Sequence, residues 1–199
     1  MTQRPSRTIV ERIAAKPESA TFPLATPERA ILSPLSQADE PALASFLDHL
    51  SDRSRRFYSV ADSSTEARER CLGIAAYDKL RLVLRAEGVI LALSEFSFDL
   101  LPSDIDRFAR HQMVLHPGRD CRWGLCVTDA WQRRGIGTAI AAASFDLARS
   151  LGNQRAILWG GVHTGNHSAI SYYREIGFAE VGRFVNDRGI ESIDMFRAL

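Results

Sequence analysis

A strand-like run, Trp123–Thr128, leads through Gln132-Arg-Arg-Gly135-Ile-Gly137-Thr138 into a long amphipathic segment, Gly135–Leu151. No other stretch restricts the fold as tightly. Ile136, Ile140, Leu147 and Leu151 fall on one face at helical spacing. Glycines at a strand-to-helix junction let backbone N–H groups come close to an anion. The helix start adds donors without intrahelical acceptors and about half a positive charge. Arg133 and Arg134 add formal charge. The segment reads either as a phosphate cradle or, more plainly, as a tight turn that packs a helix on a strand. It is not a dinucleotide fingerprint, because Thr138–Ile140 supplies no third glycine. It is not a P-loop, because no Gly-Lys-Ser/Thr follows, which argues against ATP as the ligand.

The surrounding pattern predicts a mixed α/β chain. Pro5, Pro17, Pro23 and Pro27 interrupt residues 1–28, which read as a flexible tail with a short helix near Ile9–Ala15. Residues 29–199 read as a single domain. Ile31, Leu32 and Leu35 suggest a first strand, and Ser36–Asp39 leads into a helix with Leu43, Phe46, Leu47 and Leu50 at helical spacing. Two more helices follow, the second capped at Ser63/Ser64 with Ala67, Cys71, Ile74 and Ala75 on one face. Leu80–Ala86 and Val89–Phe98 form a hairpin around Glu87-Gly88. Residues 99–120 read as a long loop with a short helix near Ser103–Arg110. Beyond the Gly135 helix lie a strand at Ala156–Val162, a helix at Asn166–Ile176 stopped by Gly177, and a hairpin of Phe178–Val185 with Ile190–Arg197. This order implies a mixed sheet with helices on both faces.

Composition removes several function classes. The 199 residues carry 25 Lys+Arg against 24 Asp+Glu, so net charge gives no reason to expect nucleic acid or a membrane surface as partner. The longest apolar runs, such as Val89–Leu93, fall far short of the ~20 residues of a membrane span. Cys71, Cys121 and Cys126 form no CxxC or zinc-ligand pattern, which predicts no metal and a reduced, cytoplasmic setting. No apolar secretory segment occupies the first 25 residues.

About thirty residues beyond the glycine segment lies Asn166-His-Ser-Ala169-Ile-Ser-Tyr172-Tyr173-Arg-Glu-Ile-Gly177-Phe178. Together the two segments resemble the GNAT superfamily of acyl-CoA-dependent N-acyltransferases, common in bacteria. The first is similar to that family's Q/R-x-x-G-x-G/A pyrophosphate loop, and the second to its N-x-x-A-x-x-x-Y-x-x-x-G-F segment. The resemblance covers residues 30–199 in element order and 123–178 at motif level.

It implies a mostly antiparallel sheet with a splayed central strand pair, and acetyl-CoA as co-substrate. It implies that backbone amides of Gln132, Arg133, Arg134, Gly135, Ile136, Gly137 and Thr138 hold the cofactor's pyrophosphate. Cys126 and Val127 would pair with the pantetheine arm, and an amide there would polarise the thioester carbonyl. Asn166 matches a pantetheine contact and also has the residue type of a helix N-cap. Tyr173 matches the tyrosine that protonates the leaving thiolate, while Tyr172 reads as a core aromatic.

Direct transfer to an amine needs no covalent intermediate, so Cys121 and Cys126 read as buried strand thiols. It does need a base. Where many family members carry a glutamate, about ten residues ahead of the glycine loop, this chain has Arg122. Glu95, among apolar neighbours that would raise its pKa, is the first substitute. His163 is the second, with an intrinsic pKa close to neutral. Asp99, His111, His116 and Asp120 border the long loop and read as surface polar residues. A base-free route through ordered water is a further option.

The start of the chain, Leu32 to Tyr58, is similar to a branch that includes bacterial protein-lysine acetyltransferases. The expected acceptor is therefore the amine of a small molecule or of a lysine side chain. Variable loops at 51–64, 99–120 and 183–190 would shape its pocket. A non-catalytic acyl-CoA-binding module is the alternative. The terminal hairpin offers an edge strand for a homodimer.

Overall fold

A computed structural model describes residues 5–23, 30–58, 61–72 and 79–199. By contact it divides into two compact units: the described residues of Met1–Glu95 with Leu125–Ser144, and Phe96–Gly124 with Phe145–Leu199. The strand pairings within them are antiparallel, apart from one parallel pair. The fold is mixed α/β with a mostly antiparallel open sheet. Among the described residues, no helix is long and apolar enough to cross a membrane.

The first unit opens with α1 (Pro5–Ala15), a 3-10 turn at Pro17–Ala20 and β1 (Phe22–Pro23). These occupy the stretch expected to be a tail; residues 1–4 and 24–28 lie outside the described set. The order has a physical source, because Val10, Ile13 and Ala20 are buried and give the segment apolar surface to remove from water. β1 pairs with β2 (Ile31–Pro34) through Phe22 and Leu32.

Ser36 and Asp39 then form a reciprocal cap, with the Ser36 N–H donating to Asp39 Oδ2 at 2.7 Å. It starts α2 (Glu40–Asp48), whose Leu43, Phe46 and Leu47 are buried at i, i+3 and i+4. α3 (Asp52–Tyr58) and α4 (Ser63–Leu72) follow. Ala67 and Cys71 of α4 join α2 in an apolar cluster, where each buried leucine contributes roughly 1.5–3 kcal/mol. Ile74 and Ala75, expected on the same face, lie outside the described residues.

β3 (Lys79–Ala86) pairs with β2, Leu82 facing Pro34. It turns into β4 (Val89–Ser97) through Glu87 and Gly88, with φ of +50° and +81°. Positive φ at both central residues is what a two-residue hairpin turn requires. Every residue of β4 from Ile90 to Ser97 is buried, the apolar run up to Leu93 and the polar Ser94, Glu95 and Ser97 alike.

In the second unit, α5 (Pro102–Ala109) occupies the expected long loop. β5 (Asp120–Val127) begins here, and α6 (Ile136–Ser150) ends here. β5 pairs in parallel with β6 (Arg155–Leu158), from Asp120 with Arg155 to Trp123 with Leu158. The Trp159 N–H to Trp123 carbonyl bond, 2.9 Å, closes that ladder, while β5 runs on to Val127.

The strand expected at Ala156–Val162 is interrupted. Gly160 and Gly161 take φ of +73° and +69°, outside the strand region, so β6 stops at Leu158 and a separate β7 (Val162–His163) begins. α7 (His167–Glu175) ends at Gly177, whose φ of +89° supplies the left-handed helix stop. β8 (Ala179–Val185) and β9 (Glu191–Ala198) form the last hairpin, and β9 also pairs with β6 and β7. Trp123 is fully buried, its ring centroid 4.7 Å from Phe145 and 5.9 Å from Phe178.

Candidate active site

The glycine segment lies in the first unit. A 3-10 turn at Asp129–Trp131 hands the chain to Gln132, and α6 begins at Ile136. Arg133 and Gly135 both have positive φ, +61° and +78°. Two such residues around Arg134 coil the backbone tightly before the helix starts. The first backbone bond of α6 runs from the Ala139 N–H to the Gly135 carbonyl, 3.1 Å. The amides of Ile136 and Thr138 come before it, where helix geometry provides no acceptor. Gln132 to Gly135 are exposed. A concentration of N–H donors at an accessible helix start suits an anion.

Side chains hold this loop from behind. Gln132 Nε2 donates to the Val127 carbonyl at 3.0 Å. The Arg134 guanidinium lies over Trp131, 4.9 Å from the ring centroid. The Asp129 carboxylate accepts from the Ser51 N–H (2.9 Å), Ser51 Oγ (2.7 Å) and Ser54 Oγ (2.8 Å). Slight burial pushes that carboxyl up, but the serine hydrogen bonds outweigh it and hold it below its ordinary value. Residues 51–54, read in sequence as a variable polar turn, thus brace the start of the loop.

Cys126 is buried, and its thiol is driven well up by burial and then by the charge of Glu95. Cys121 is likewise buried and its thiol raised, so both are inert as nucleophiles at neutral pH.

Glu95 does not have the environment the sequence suggested. It is buried at 7% exposure, and burial does push its carboxyl up. The guanidiniums of Arg70 and Arg81 then pull it down further, to below its ordinary value. Arg81 Nε donates to Oε1 at 2.7 Å, Arg70 Nη1 lies 3.5 Å from Oε2, and the Tyr58 hydroxyl donates to Oε2. Arg70 also donates to the Tyr58 oxygen at 2.9 Å and pairs with Glu66 at 3.2 Å. A carboxylate held by two cations and a phenol is a weak base. Tyr58, Arg70 and Arg81 were missed as site neighbours. The available signal was Arg81 between the apolar Leu80 and Leu82 of β3 and one glutamate among the apolar residues of β4.

Tyr173, Asn166 and His163 belong to the second unit. Tyr173 lies on α7, its ring edge-on to Trp123 at 6.3 Å and to Phe178 at 5.6 Å between centroids. Tyr172 stands beside it, with a phenol raised by burial. Asn166 caps α7: its side-chain oxygen accepts from the Ala169 N–H at 3.3 Å. Its own N–H donates to the His163 carbonyl at 2.9 Å, which joins β7 to the helix start. Burial and then Arg188 pull the His163 imidazole below its ordinary value, so it is neutral at pH 7. Asn166→Ala is expected to cost about 1 kcal/mol through loss of the cap, and Asn166→Gly only a few tenths, both read from thermal unfolding.

Arg122 is buried at 6% exposure, 3.0 Å from Asp104 through Nε. Its guanidinium lies over Trp159, 4.7 Å from the ring centroid. Asp104 and Asp194 both pair with Arg107, at 2.7 and 2.9 Å. This charged group spans α5, β5 and β9 and was not foreseen from the sequence; the one available signal was Asp104 and Arg107, three residues apart on one helix. Asp120 is not available as a base, because its oxygens accept two bonds from Arg155 and one from the His116 N–H.

Residues 38–178 match the model of the acetyltransferase (GNAT) family. No curated protein matches significantly. Among solved structures, the GNAT domain of S. lividans PAT superposes with a TM-score of 0.69 at 19% identity, covering 92% of this chain and 99% of that one. A spermidine N-acetyltransferase SpeG chimera from Vibrio cholerae and hSSAT gives 0.62 at 17% identity, covering 85% and 95%. The aminoglycoside acetyltransferase AAC(6')-Ib, in complex with coenzyme A, gives 0.67 at 15% identity, covering 85% and 94%.

Proposed function

The chain belongs to the GNAT acetyltransferase family, and from that premise we propose that it transfers the acetyl group of acetyl-CoA directly to an amine, on a small molecule or a lysine side chain. The observation that carries this reading is the exposed, positive-φ loop from Gln132 to Gly135 at the start of α6. Its amides, with those up to Thr138, would hold the pyrophosphate. Cys126 and Val127 would pair with the pantetheine arm, and Asn166 would meet it from its cap position. Structural relatives support the cofactor, since AAC(6')-Ib is solved with coenzyme A.

In the proposed step the amine nitrogen attacks the thioester carbon, a C–N bond forms and the C–S bond breaks. The oxyanion that develops is met by a backbone N–H near Cys126 or Val127. Tyr173 gives its proton to the departing thiolate. His163 takes the amine proton, and its neutral imidazole fits that role better than the ion-paired Glu95 does. Buried, free thiols at Cys71, Cys121 and Cys126 support a reducing, cytoplasmic setting.

The test is thermal unfolding with acetyl-CoA, and with ATP as control. Ligand at ~100 times its dissociation constant is expected to stabilise the fold by about 2.7 kcal/mol. A shift with acetyl-CoA alone, followed by thiol release when amines are added, is the expected result. No shift would sink the reading. The second reading, a non-catalytic acyl-CoA-binding module, is favoured by the ion pairing of Glu95 and by Arg122. It predicts the same shift with no thiol release from any amine.

A further inference from the structure

We propose that Arg122 anchors a carboxylate carried by the acceptor, so that the acceptors are amines that also bear an acid group, such as amino acids or short peptides with a free carboxyl terminus. This rests on the acetyl-transfer reading, in which a ligand reaching Arg122 is the acceptor.

The argument begins with unmet hydrogen bonding. A guanidinium has five N–H donors in a rigid planar fork, and buried charged groups are normally paired and bonded. Arg122, at 6% exposure, does not meet that expectation. Its Nε is 3.0 Å from Asp104 Oδ2, yet the alignment is too poor for a hydrogen bond, and Nε is sealed from solvent without a partner. Among the described residues, neither terminal amine makes a hydrogen bond. Of the three nitrogens only Nε is sealed and unpartnered, so the two terminal amines are the donors left for a ligand in the proposed site.

The nearby carboxylates are already engaged. Asp104 Oδ1 accepts from Arg107 Nη2 at 2.7 Å, and Oδ2 accepts from the Leu101 N–H at 3.2 Å. Both oxygens of Asp194 accept from Arg107, at 2.9 and 3.2 Å. Arg107 is therefore bonded to two acids, whereas Arg122 shares one of them without a hydrogen bond. Burial lowers the hold of Arg122 on its proton; Asp104 raises it, Arg107 lowers it again, and Asp99 adds a smaller opposing pull, so the net hold stays below the ordinary value.

Shape points to the same class of ligand. The flat face of the guanidinium is covered by Trp159 at 4.7 Å. A stacked guanidinium can engage only through its edge, where two parallel N–H bonds match the two oxygens of a carboxylate. The buried charge is pre-positioned, so a bound carboxylate would compensate it without reorganisation.

The experiment compares matched acids and amides in the full-length protein. Thiol release from acetyl-CoA is measured with amino acids and with their carboxamides, for the wild type, Arg122→Gln and Arg122→Lys. The wild type is expected to favour the acids by about 10–100-fold in kcat/KM, the range for a hydrogen-bonded charge pair. Arg122→Gln is expected to bring the ratio near one while leaving the KM for acetyl-CoA unchanged. Arg122→Lys keeps the charge without the fork and is expected to retain only part of the preference. Equal use of acids and amides by the wild type, or a preference that survives in Arg122→Gln, overturns the proposal.

A second arm needs no turnover: thermal unfolding with glutarate against glutaramide. Stabilisation by the acid alone, lost in Arg122→Gln and reduced in Arg122→Lys, supports the proposal, and an equal response to acid and amide in the wild type overturns it. If Arg122→Gln does not fold, Arg122→Lys carries both arms. Failure of the acetyl-transfer reading shows separately, as the absence of any shift with acetyl-CoA.

Discussion

Glu95→Ala is expected to lower stability by about 3–5 kcal/mol, the cost of removing one partner from a buried ion pair. The variant would leave Arg70 and Arg81 facing each other without the carboxylate that each now contacts, and Tyr58 without its acceptor. Glu95→Gln keeps one acceptor oxygen, for either Arg81 or Tyr58, and sets an NH2 against the other along with the loss of charge, so it should fall between the wild type and Glu95→Ala in urea unfolding. The pair of variants also separates structure from catalysis. A catalytic base removed by Glu95→Gln would abolish acetyl transfer in a well-folded protein. A structural carboxylate would lower the melting temperature while the folded fraction kept its kcat, and that is the expected result.

The pH dependence has a definite sign. The folded-state pKa of Glu95 lies below its ordinary value, so its contribution is fully present above the unfolded value of about 4.3 and is lost as the pH falls through the folded value. Asp129 is lowered too and adds to the same acid-side loss.

Tyr173→Phe is the second large effect. If the phenol protonates the departing thiolate, kcat should fall by about 10²–10⁴-fold, the usual contribution of a positioned acid. The aromatic contacts with Trp123 and Phe178 remain in the variant, so the cost in stability should stay near ~1 kcal/mol. The defect should shrink with acetyl donors whose thiol has a lower pKa, since a better leaving group needs less protonation. A loss that is uniform across donors, or smaller than about threefold, would assign Tyr173 to packing alone.

Much of the fold was legible because it depends on local rules. The helices α2 and α6 follow apolar residues at helical spacing, and the β3–β4 turn follows from Glu87-Gly88. The break between β6 and β7 was also written locally, in Gly160-Gly161, but a reading based on apolar runs passes over two glycines. The order in residues 5–23 was less accessible. Helix-interrupting prolines suggest a tail, and only the burial of Val10, Ile13 and Ala20 offsets the entropy cost of ordering it.

The site divides in the same way. A loop shaped by its backbone announces itself through glycine and through its position before a helix, so residues 132–138 and the helix stop at Gly177 are visible in one dimension. Both Gln132–Thr138 and Asn166–Phe178 lie in order inside the span 38–178 that shows the family, with β6 and β7 between them. The state of Glu95 was not visible. Its pKa is set by arginines 14 and 25 residues away in sequence, and no local pattern shows that their guanidiniums converge on one carboxylate. Arg122 likewise looked like a missing glutamate, and only packing shows it stacked on Trp159 with its Nε sealed and without a hydrogen-bond partner. Backbone conformation is determined over a few residues by sterics, whereas the charge state of a buried side chain depends on what the fold brings within about 4 Å of it.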